Sequence, residues 1–337
     1  MKIIIDAYGG DNSPVAMIKG TVEALKKEDF EAVIVGKEEE INGVLATLEY
    51  DKSKVSVVNA TEVIDCNEPP VEAIKKKTDS SLVRAIKILK EDEDAKAFVS
   101  SGSTGAVLTA AVLLTKRIQG VNRPALSPVL PNMKNGGTIL LDCGANVDCK
   151  PINLVQFAVM GSVYMREIMG VENPRVALLS NGTEDKKGCA LTKEAFGLLK
   201  GEKSINFVGN MEAREILSGD YDVIVCDGFA GNVALKSIEG AAKCITGALK
   251  KEIKASPSAI FGSLFMKKAF KNLKNFLDYN KRGGAVLLGM QQVVVKAHGA
   301  ANEESFKNAV LQAYRASKTD INDKIKDGLA LLNGDNQ

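Results

Sequence analysis

The sequence lacks an excess of charge of either sign. Its 337 residues include 44 lysines and arginines against 42 acidic residues, a net charge of +2. Because a dedicated nucleic-acid binder usually carries a strongly basic surface, this balance argues against that class of protein. Long apolar runs are missing too, since none reaches the roughly 18–20 residues that span a bilayer. The apolar run at residues 3–5 is too short for a signal peptide, so contact with a membrane is expected only at its surface.

The motifs of several common ligand sites are absent. There is no GxxxxGK(S/T), and no GxGxxG follows the first apolar run, which argues against ATP and dinucleotide sites. HExxH and paired Cys/His spacings are also missing, so we expect no metal and no other cofactor. His298 is the single histidine and no GxSxG occurs, so a serine-hydrolase triad is hard to assemble. The six cysteines are scattered without a CxxC pair, and we interpret them as reduced thiols of a cytoplasmic protein.

Short apolar segments alternate with helical patterns along the chain. Most of these segments are continuous, which is typical of parallel strands buried on both faces. Their alternation with helices predicts an α/β fold with right-handed crossovers, a doubly wound sheet in three αβα layers. No linker or repeat interrupts the pattern, so we expect one α/β domain over residues 1–337, with a cleft between two lobes. The predicted strands are 2–6, 32–35, 55–58, 97–100, 138–142, 176–180, 205–208 and 222–227, and the clearest helices are 14–27, 80–90, 104–116 and 151–169.

The last third of the chain has a different pattern. A helical pattern over residues 231–254 breaks at Ala255-Ser256-Pro257-Ser258, and a second helix is predicted from 259 to 277. Two long helices joined by a Ser/Pro turn form an αα-hairpin, which we expect to protrude within residues 240–280. The chain then returns to predicted strands at 285–288 and 293–295, and a closing helix begins near residue 302.

Four strand-to-helix junctions combine glycine with hydroxyl, amide or ammonium groups. Ligands of doubly wound sheets bind at the carboxyl ends of the strands. Glycine lets the backbone approach an anion closely, and a helix N-terminus offers N–H donors. Taken singly, each junction is explained as a helix cap, but together on one sheet edge they would form an anion-binding cleft. The four junctions are residues 6–11, 100–106, 180–188 and 227–232.

Three single residues each have a structural and a chemical interpretation. His298 is either a structural histidine at a strand end or a cleft residue that acts as acid, base or phosphate contact. Lys187 is either a solvated surface residue or a phosphate partner. Cys143 is a conceivable nucleophile, but a small buried thiol beside a strand end is the commoner arrangement.

The segment from 260 to 277 is amphipathic and basic. Its apolar residues recur at a spacing of four along one helical face, and its lysines fall on the opposite face. It is either a core or dimer-interface helix with a solvated basic face, or a docking surface for an acidic protein or for anionic lipid. The apolar residues that step by four are Phe261, Phe265, Ala269 and Leu273, the others are Ile260, Leu264, Phe276 and Leu277, and the lysines are Lys267, Lys268, Lys271 and Lys274.

Nine stretches, in order along the chain, carry a family likeness. They are residues 6–11, 100–106, 123–126, 128–131, 141–151, 180–188, 227–236, 283–289 and 296–299. On these stretches the sequence resembles the bacterial acyl-(acyl carrier protein):phosphate acyltransferases of phospholipid synthesis, over nearly its whole length. Four positions depart from the family pattern: Tyr8 replaces methionine, Ser101 alanine, Ser103 asparagine and Ala300 serine. The hydroxyl of Ser103 can still hydrogen-bond phosphate.

The resemblance implies an activity, a fold and partners. The activity is transfer of a long-chain acyl group from acyl carrier protein to inorganic phosphate, which gives acyl phosphate for phospholipid synthesis. The implied fold is that of isocitrate and isopropylmalate dehydrogenases, in a homodimer without metal or nucleotide. The implied location is the cytoplasm, with reversible association at the inner, anionic face of the cell membrane through the hairpin. The alternatives are a short-chain phosphate acyltransferase that uses acyl-coenzyme A, an isopropylmalate-type dehydrogenase, and a non-catalytic scaffold at the membrane surface.

The resemblance also implies roles for individual residues. The family's catalytic lysine and asparagine fall on Lys187 and Asn232, and His298 is a further candidate. We expect phosphate to attack the thioester directly, without a covalent acyl-enzyme, while Asn232 and N–H groups near Gly231 stabilise the oxyanion. The residues expected to bind phosphate or substrate are Asp6, Gly9, Gly10, Ser103, Thr104, Gly105, Asn146, Asn181, Gly182 and Gly231.

Overall fold

A computed structural model describes residues 1–134, 136–277 and 282–334. Within these ranges strands and helices alternate around one large sheet, which confirms the predicted α/β class. The strands are β1 (Lys2–Asp6), β2 (Glu31–Gly36), β3 (Val55–Asn59), β4 (Ala95–Ser100), β5 (Ala125–Pro131), β6 (Gly137–Leu141), β7 (Arg175–Ser180), β8 (Asn206–Glu212), β9 (Val223–Val225), β10 (Ala285–Leu288) and β11 (Val293–Lys296). The helices are α1 (Val15–Leu25), α2 (Glu38–Leu45), α3 (Pro70–Lys76), α4 (Ser81–Glu91), α5 (Thr104–Leu114), α6 (Pro151–Glu167), α7 (Ala190–Gly201), α8 (Gly228–Ala255), α9 (Pro257–Phe265), α10 (Lys267–Leu277), α11 (Glu303–Lys318) and α12 (Ile321–Gly334).

The sheet consists of two parallel halves that run in opposite directions. Its eleven strands lie in the order β3-β2-β1-β4-β11-β10-β5-β6-β9-β7-β8. The first five strands of this order are mutually parallel, and so are the last four. Between them, β10 and β5 pair antiparallel with each other and with their outer neighbours. The expectation of a parallel sheet is therefore wrong at the centre, and the carboxyl ends of the two halves point to opposite edges.

The strands are buried on both faces, which explains their continuous apolar sequences. Ile3 and Ile5 of β1 belong to one hydrophobic core, whereas Ile4 belongs to a second core. Because successive side chains of a strand point to opposite faces, these cores lie on opposite sides of the sheet. In the other half, Leu141 faces the first core and Leu140 a third. Helices α1, α6, α11 and α12 cover the first core, while α4, α5 and α8 cover the other face, so the fold has three layers.

Short polar side chains set the starts of two helices. Asp227 caps α8, because its Oδ1 accepts a hydrogen bond of 2.8 Å from Ala230 N. Asn302 caps α11 in the same way, with 2.9 Å from Ser305 N to its Oδ1. Each cap satisfies an N–H group that has no partner within the helix.

The sequence pattern did not predict β5. Pro128 and Pro131 lie inside this strand, and proline argues against a central strand because it has no N–H group to donate. In the structure Pro128 pairs with Ala285 of β10, and Pro131 pairs with Gly137 of β6. This strand joins the two halves of the sheet.

The helices after β9 differ from the prediction in one place. The predicted break is present, because α8 ends before Ser256, whose Oγ caps α9 by accepting a hydrogen bond from Ala259 N (3.4 Å). The single second helix over 259–277 is wrong, because Met266 separates α9 from α10. The apolar face predicted along that helix is therefore divided between two helices. Residues 278–280 of the predicted hairpin lie outside the described residues.

Candidate active site

A cleft of about 590 Å³ opens on the face of the sheet that carries α5 and α8. It lies over β5 and β10, where the two halves of the sheet meet. One wall is formed by the loop after β4, the start of α5 and the end of β11, and the other by α8 and the loop after β6. The lining includes Ser101, Gly102, Ser103, Thr104, Gly105, Cys143, Gly144, Asn232, Lys236, Glu239, Lys296 and His298.

Asp6 supports the first wall from behind and does not line the cleft. Its buried carboxyl group accepts hydrogen bonds from Ser100 Oγ (2.7 Å) and Tyr8 N (3.2 Å). Ser100 Oγ accepts in turn from Gly102 N at 3.0 Å, so the carboxyl group orients the loop after β4. Burial raises the pKa of Asp6 from 3.8 to about 6.

Gly9 and Gly10 allow the loop after β1 to pack closely against the loop after β4 in the same wall. The φ angle of Gly9 is +89°, and a Cβ there would lie 2.7 Å from the Cα of Gly102. A Cβ on Gly10 would collide with the side chain of Ser101. Neither residue lines the cleft. Glycine is needed here because the loops after β1 and β4 approach each other so closely.

The start of α5 presents N–H donors to the cleft. Ser103 is the N-cap residue, and its side chain makes no capping hydrogen bond. The helical ladder begins with Val107 N, which donates to Ser103 O. Within the described ranges, the N–H groups of Thr104 and Gly105 have no acceptor. The structure thus places together three of the residues expected to bind phosphate, because free N–H groups at a helix start attract anions.

Lys296 is a cleft residue that sequence reasoning missed. It ends β11, pairs with Ser100 of β4, and is only 8% exposed. Its Nζ lies 3.4 Å from the carbonyl oxygen of Ser101 and donates to that of Ala297. Burial lowers the pKa of Lys296 from 10.5 to about 8. The stretch 296–299, which carries part of the family likeness, contains this lysine as well as His298.

His298 lies in the same wall of the cleft. Its Nδ1 accepts a hydrogen bond of 3.1 Å from Ala300 N, so Nε2 carries the proton of the neutral ring. Burial lowers the pKa of His298, which favours this neutral form at pH 7. This position supports the interpretation of His298 as a cleft residue. With its proton on Nε2, the neutral ring can donate a hydrogen bond.

Asn232 lies on the opposite wall, in the second turn of α8. A Cβ on Gly144 would lie 3.7 Å from Asn232 Cγ, so the amide group is next to the loop after β6. Gly231 has a packing role instead, because a Cβ there would collide with the carbonyl oxygen of Asp142. The N–H of Gly231 donates to Asp227 O at 3.0 Å within the helix. It is therefore not available as the oxyanion donor that was expected at this position.

The junction after β7 does not reach the cleft. The expectation that all four junctions share one sheet edge is wrong, because β7 and β9 both run opposite to β4. The junction after β9 still lines the cleft, whereas β7 lies one strand further from the centre of the sheet. Asn181 and Lys187 are exposed, and Gly182 is buried. A Cβ on Gly182 would lie 2.8 Å from Lys187 Cγ, so the lysine stem lies against this glycine. None of the three residues lines the cleft.

Two residues near the second wall have no chemical role in this geometry. The Nδ2 of Asn146 donates to Pro124 O (2.7 Å) and to Asp142 Oδ2 (2.8 Å), and its carbonyl oxygen accepts from Gly228 N. Asn146 thus positions the start of α8 and lies outside the cleft lining. Cys143 lines the cleft, but burial and the charge of Asp142 hold the pKa of its thiol well above the usual range. A thiolate nucleophile therefore does not form there near neutral pH.

Helices α9 and α10 expose apolar and basic side chains outside the cleft. Phe261 is 65% and Phe265 80% exposed, and their ring centroids lie 5.6 Å apart. The side chain of Lys274 lies outside the described residues. Of the helices in the described ranges, none is long and apolar enough to cross a membrane. The other exposed members of this surface are Ile260, Leu264, Ala269, Lys267, Lys268, Lys271 and Leu273.

The sequence is closely similar to proteins of one family. The family described as "Fatty acid synthesis protein" matches residues 1–324. A protein named phosphate acyltransferase from Clostridium perfringens strain SM101 is 47% identical over 338 residues, which cover 100% of this chain and 99% of that protein. A phosphate acyltransferase from Dictyoglomus turgidum is 47% identical over 329 residues, which cover 98% of each chain.

Solved structures with the same fold are more distant in sequence. A phosphotransacetylase from Streptococcus pyogenes matches with a TM-score of 0.63 at 17% identity, over 94% of each chain. A branched-chain phosphotransacylase from Enterococcus faecalis V583 matches with a TM-score of 0.55 at 15% identity, over 95% of this chain and 99% of that one. At such identities these structures show a shared fold alone. The full-length identity to phosphate acyltransferases, by contrast, shows that the chain belongs to the fatty acid synthesis protein family and is an enzyme of the acyltransferase class.

Proposed function

We propose that the protein transfers a long-chain fatty acyl group from acyl carrier protein to inorganic phosphate, and that the acyl phosphate serves phospholipid synthesis. The observation that carries the proposal is the cleft, whose lining contains both the start of α5, with its N–H donors, and Asn232 of α8. Its volume of about 590 Å³ lies within the range of small-molecule sites and admits a phosphate ion beside a thioester. Family membership supports the same activity.

The proposed reaction needs no protein nucleophile. An oxygen of HPO₄²⁻ attacks the thioester carbonyl carbon, the C–S bond breaks, and the phosphate proton ends on the carrier thiol. The N–H groups of Thr104 and Gly105 hold the phosphate, and Asn232 Nδ2 donates to the developing oxyanion. The Nε2–H of His298 is a second donor for the oxyanion or the leaving sulfur. Direct transfer agrees with a protonated Cys143.

A catalytic role of Lys187 is proposed from the family resemblance and not from its position in the structure. The resemblance implies that its ammonium group acts on the substrates, although Lys187 is exposed and lies outside the cleft lining. Its replacement by alanine is then expected to lower kcat by about 10²–10³, as for loss of one preorganised donor. Wild-type turnover of Lys187→Ala would remove this residue from the site.

The exposed surface of α9 and α10 is proposed as the contact for acyl carrier protein and membrane. Its lysines suit an acidic carrier and anionic headgroups, while Phe261 and Phe265 suit the apolar boundary of a bilayer. We propose further, from the family resemblance, one domain over 1–337 with the fold of isocitrate and isopropylmalate dehydrogenases. The resemblance also carries the proposal of a homodimer joined through a hairpin in 240–280, and of a cytoplasmic enzyme bound reversibly to the inner membrane face.

The activity is tested with purified protein, palmitoyl-acyl carrier protein and inorganic phosphate. Palmitoyl phosphate, measured by mass spectrometry, should form in equal amount to free carrier thiol, measured by thiol titration. Acetyl-coenzyme A is the comparison donor, and faster transfer from it would reject the long-chain assignment. Thiol release that does not require phosphate would reject acyl transfer to phosphate.

A further inference from the structure

Lys296 is a buried cation that no carboxylate of the described residues contacts directly; the charges of Asp6 and Asp11 act on it only at longer range. No carboxylate oxygen of the described residues lies within 4.0 Å of its Nζ. The contacts of the ammonium group are instead the carbonyl oxygens of Ser101 and Ala297. Burial of an ammonium group is unfavourable unless an anion compensates the charge. The cleft thus contains a buried positive charge that a bound anion would neutralise.

The other lysines near the site do not share this property. Lys236 lines the cleft from α8, but it is exposed and forms an ion pair of 2.9 Å with Glu239. Lys187 is exposed and lies outside the lining. Among the described lining residues, Lys296 is therefore the one buried lysine, and it is the one without a carboxylate partner.

The ammonium group contacts the loop that leads into α5, and Lys296, Thr104 and Gly105 line the same cleft. Lys296 Nζ is 3.4 Å from the carbonyl oxygen of Ser101, and that residue precedes Thr104 by a single short loop. The loop is held in place by the hydrogen bond from Gly102 N to Ser100 Oγ. The charge and the donors therefore belong to the wall formed by β4, β11 and the start of α5.

We propose that phosphate binds between Lys296 Nζ and the N–H groups of Thr104 and Gly105, so that Lys296 supplies the positive charge that holds it. This inference rests on the proposed function and specifies its phosphate site. A tetrahedral dianion has enough oxygens to accept from the ammonium and both amides while one oxygen points towards the thioester. It also provides a counter-ion in direct contact with Lys296, which Asp6 and Asp11 do not provide.

Lys296→Met tests the assignment, because it removes the charge and keeps the length of the side chain. The KM for phosphate is expected to rise roughly 10- to 100-fold, the usual effect of losing a charged hydrogen bond. The KM for palmitoyl-acyl carrier protein should change little, which a merely structural role would not predict. Phosphate should also raise the melting temperature of the wild-type protein but not of the variant, compared with chloride at equal ionic strength.

Lys26→Met serves as the control variant. Lys26 is an exposed lysine at the end of α1, paired with Glu23, outside the cleft lining. An unchanged phosphate KM in Lys296→Met, with unchanged stabilisation by phosphate, would overturn the inference and leave acyl transfer intact. Absence of phosphate-dependent transfer in the wild-type protein would instead refute the proposed function.

Labelling of the wild-type protein covers the case in which Lys296→Met does not fold. Reductive methylation followed by peptide mass spectrometry reports the accessibility of each lysine amine. Phosphate, compared with chloride, is expected to slow methylation of Lys296 and to leave that of Lys26 unchanged. Equal methylation of Lys296 with and without phosphate would overturn the inference.

Discussion

Asp6→Asn removes the buried carboxyl group that supports the loop after β4. Burial raises the pKa of Asp6 from 3.8 to about 6, because hydrogen bonds from Ser100 and Tyr8 replace the lost water only in part. Between these two pH values the folded protein keeps a proton that the unfolded chain has released. The free energy of unfolding of the wild type therefore falls as pH rises through this window. At ~1.36 kcal/mol per pKa unit the total is about 3 kcal/mol, of which about half falls between pH 5 and 7.5.

Asparagine has a similar shape but cannot ionise, so this pH-dependent contribution disappears in the variant. The assay is urea unfolding followed by circular dichroism, for wild type and variant, at several pH values from 5 to 7.5. Titrating groups that do not interact with Asp6 are common to both proteins and cancel in the difference. The difference in free energy of unfolding should shift in favour of Asp6→Asn by roughly 1 kcal/mol across this range. If the free energies of unfolding of wild type and variant changed in parallel with pH, ionisation of Asp6 would not destabilise the folded protein, and the reasoning would be refuted.

Three further changes test the site and the exposed surface. Asn232→Ala should lower kcat by about 10²–10³, because a preorganised oxyanion donor is lost, and unchanged turnover in a steady-state assay would exclude this role. Cys143→Ala should keep the wild-type kcat, and mass spectrometry of quenched enzyme should show no acyl-cysteine; an acyl adduct on Cys143 would contradict direct transfer. Replacement of Lys267, Lys268 and Lys271 by glutamate should weaken binding to acyl carrier protein and to anionic vesicles, with a smaller effect at high salt because ions screen the charges. Undiminished binding of both partners would leave this surface with a structural role only.

Most of the strands were predictable from the sequence, because burial on both faces leaves an uninterrupted apolar run such as residues 3–5. Pro128 and Pro131 concealed β5, since proline is rare in strands with neighbours on both sides. The reversal of direction at the centre of the sheet has no local signal, because it depends on which distant strands pair. The junction at 180–188 lies outside the cleft because β7 is one strand further from the centre of the sheet than β9, although its composition is similar to that of the junction at 100–106.

The candidate site was predictable where local chemistry determines it. Ser103, Thr104 and Gly105 were recognisable because polar and glycine residues precede an apolar helix. Lys296 was not, because a lysine that closes an apolar run ordinarily reaches solvent. It is buried only because β11 pairs with β4 and the loops after both strands fold over it. Lys187 shows the converse, since a junction with the composition of an anion-binding loop lies outside the cleft.

A crystal structure determined with phosphate tests the phosphate site most directly. We predict one anion in the cleft, within hydrogen-bond distance of Lys296 Nζ and of the N–H groups of Thr104 and Gly105, with Asn232 on the opposite wall. An anion bound instead in the loop beside Lys187, or a cleft that stays empty at saturating phosphate, would contradict the proposed site.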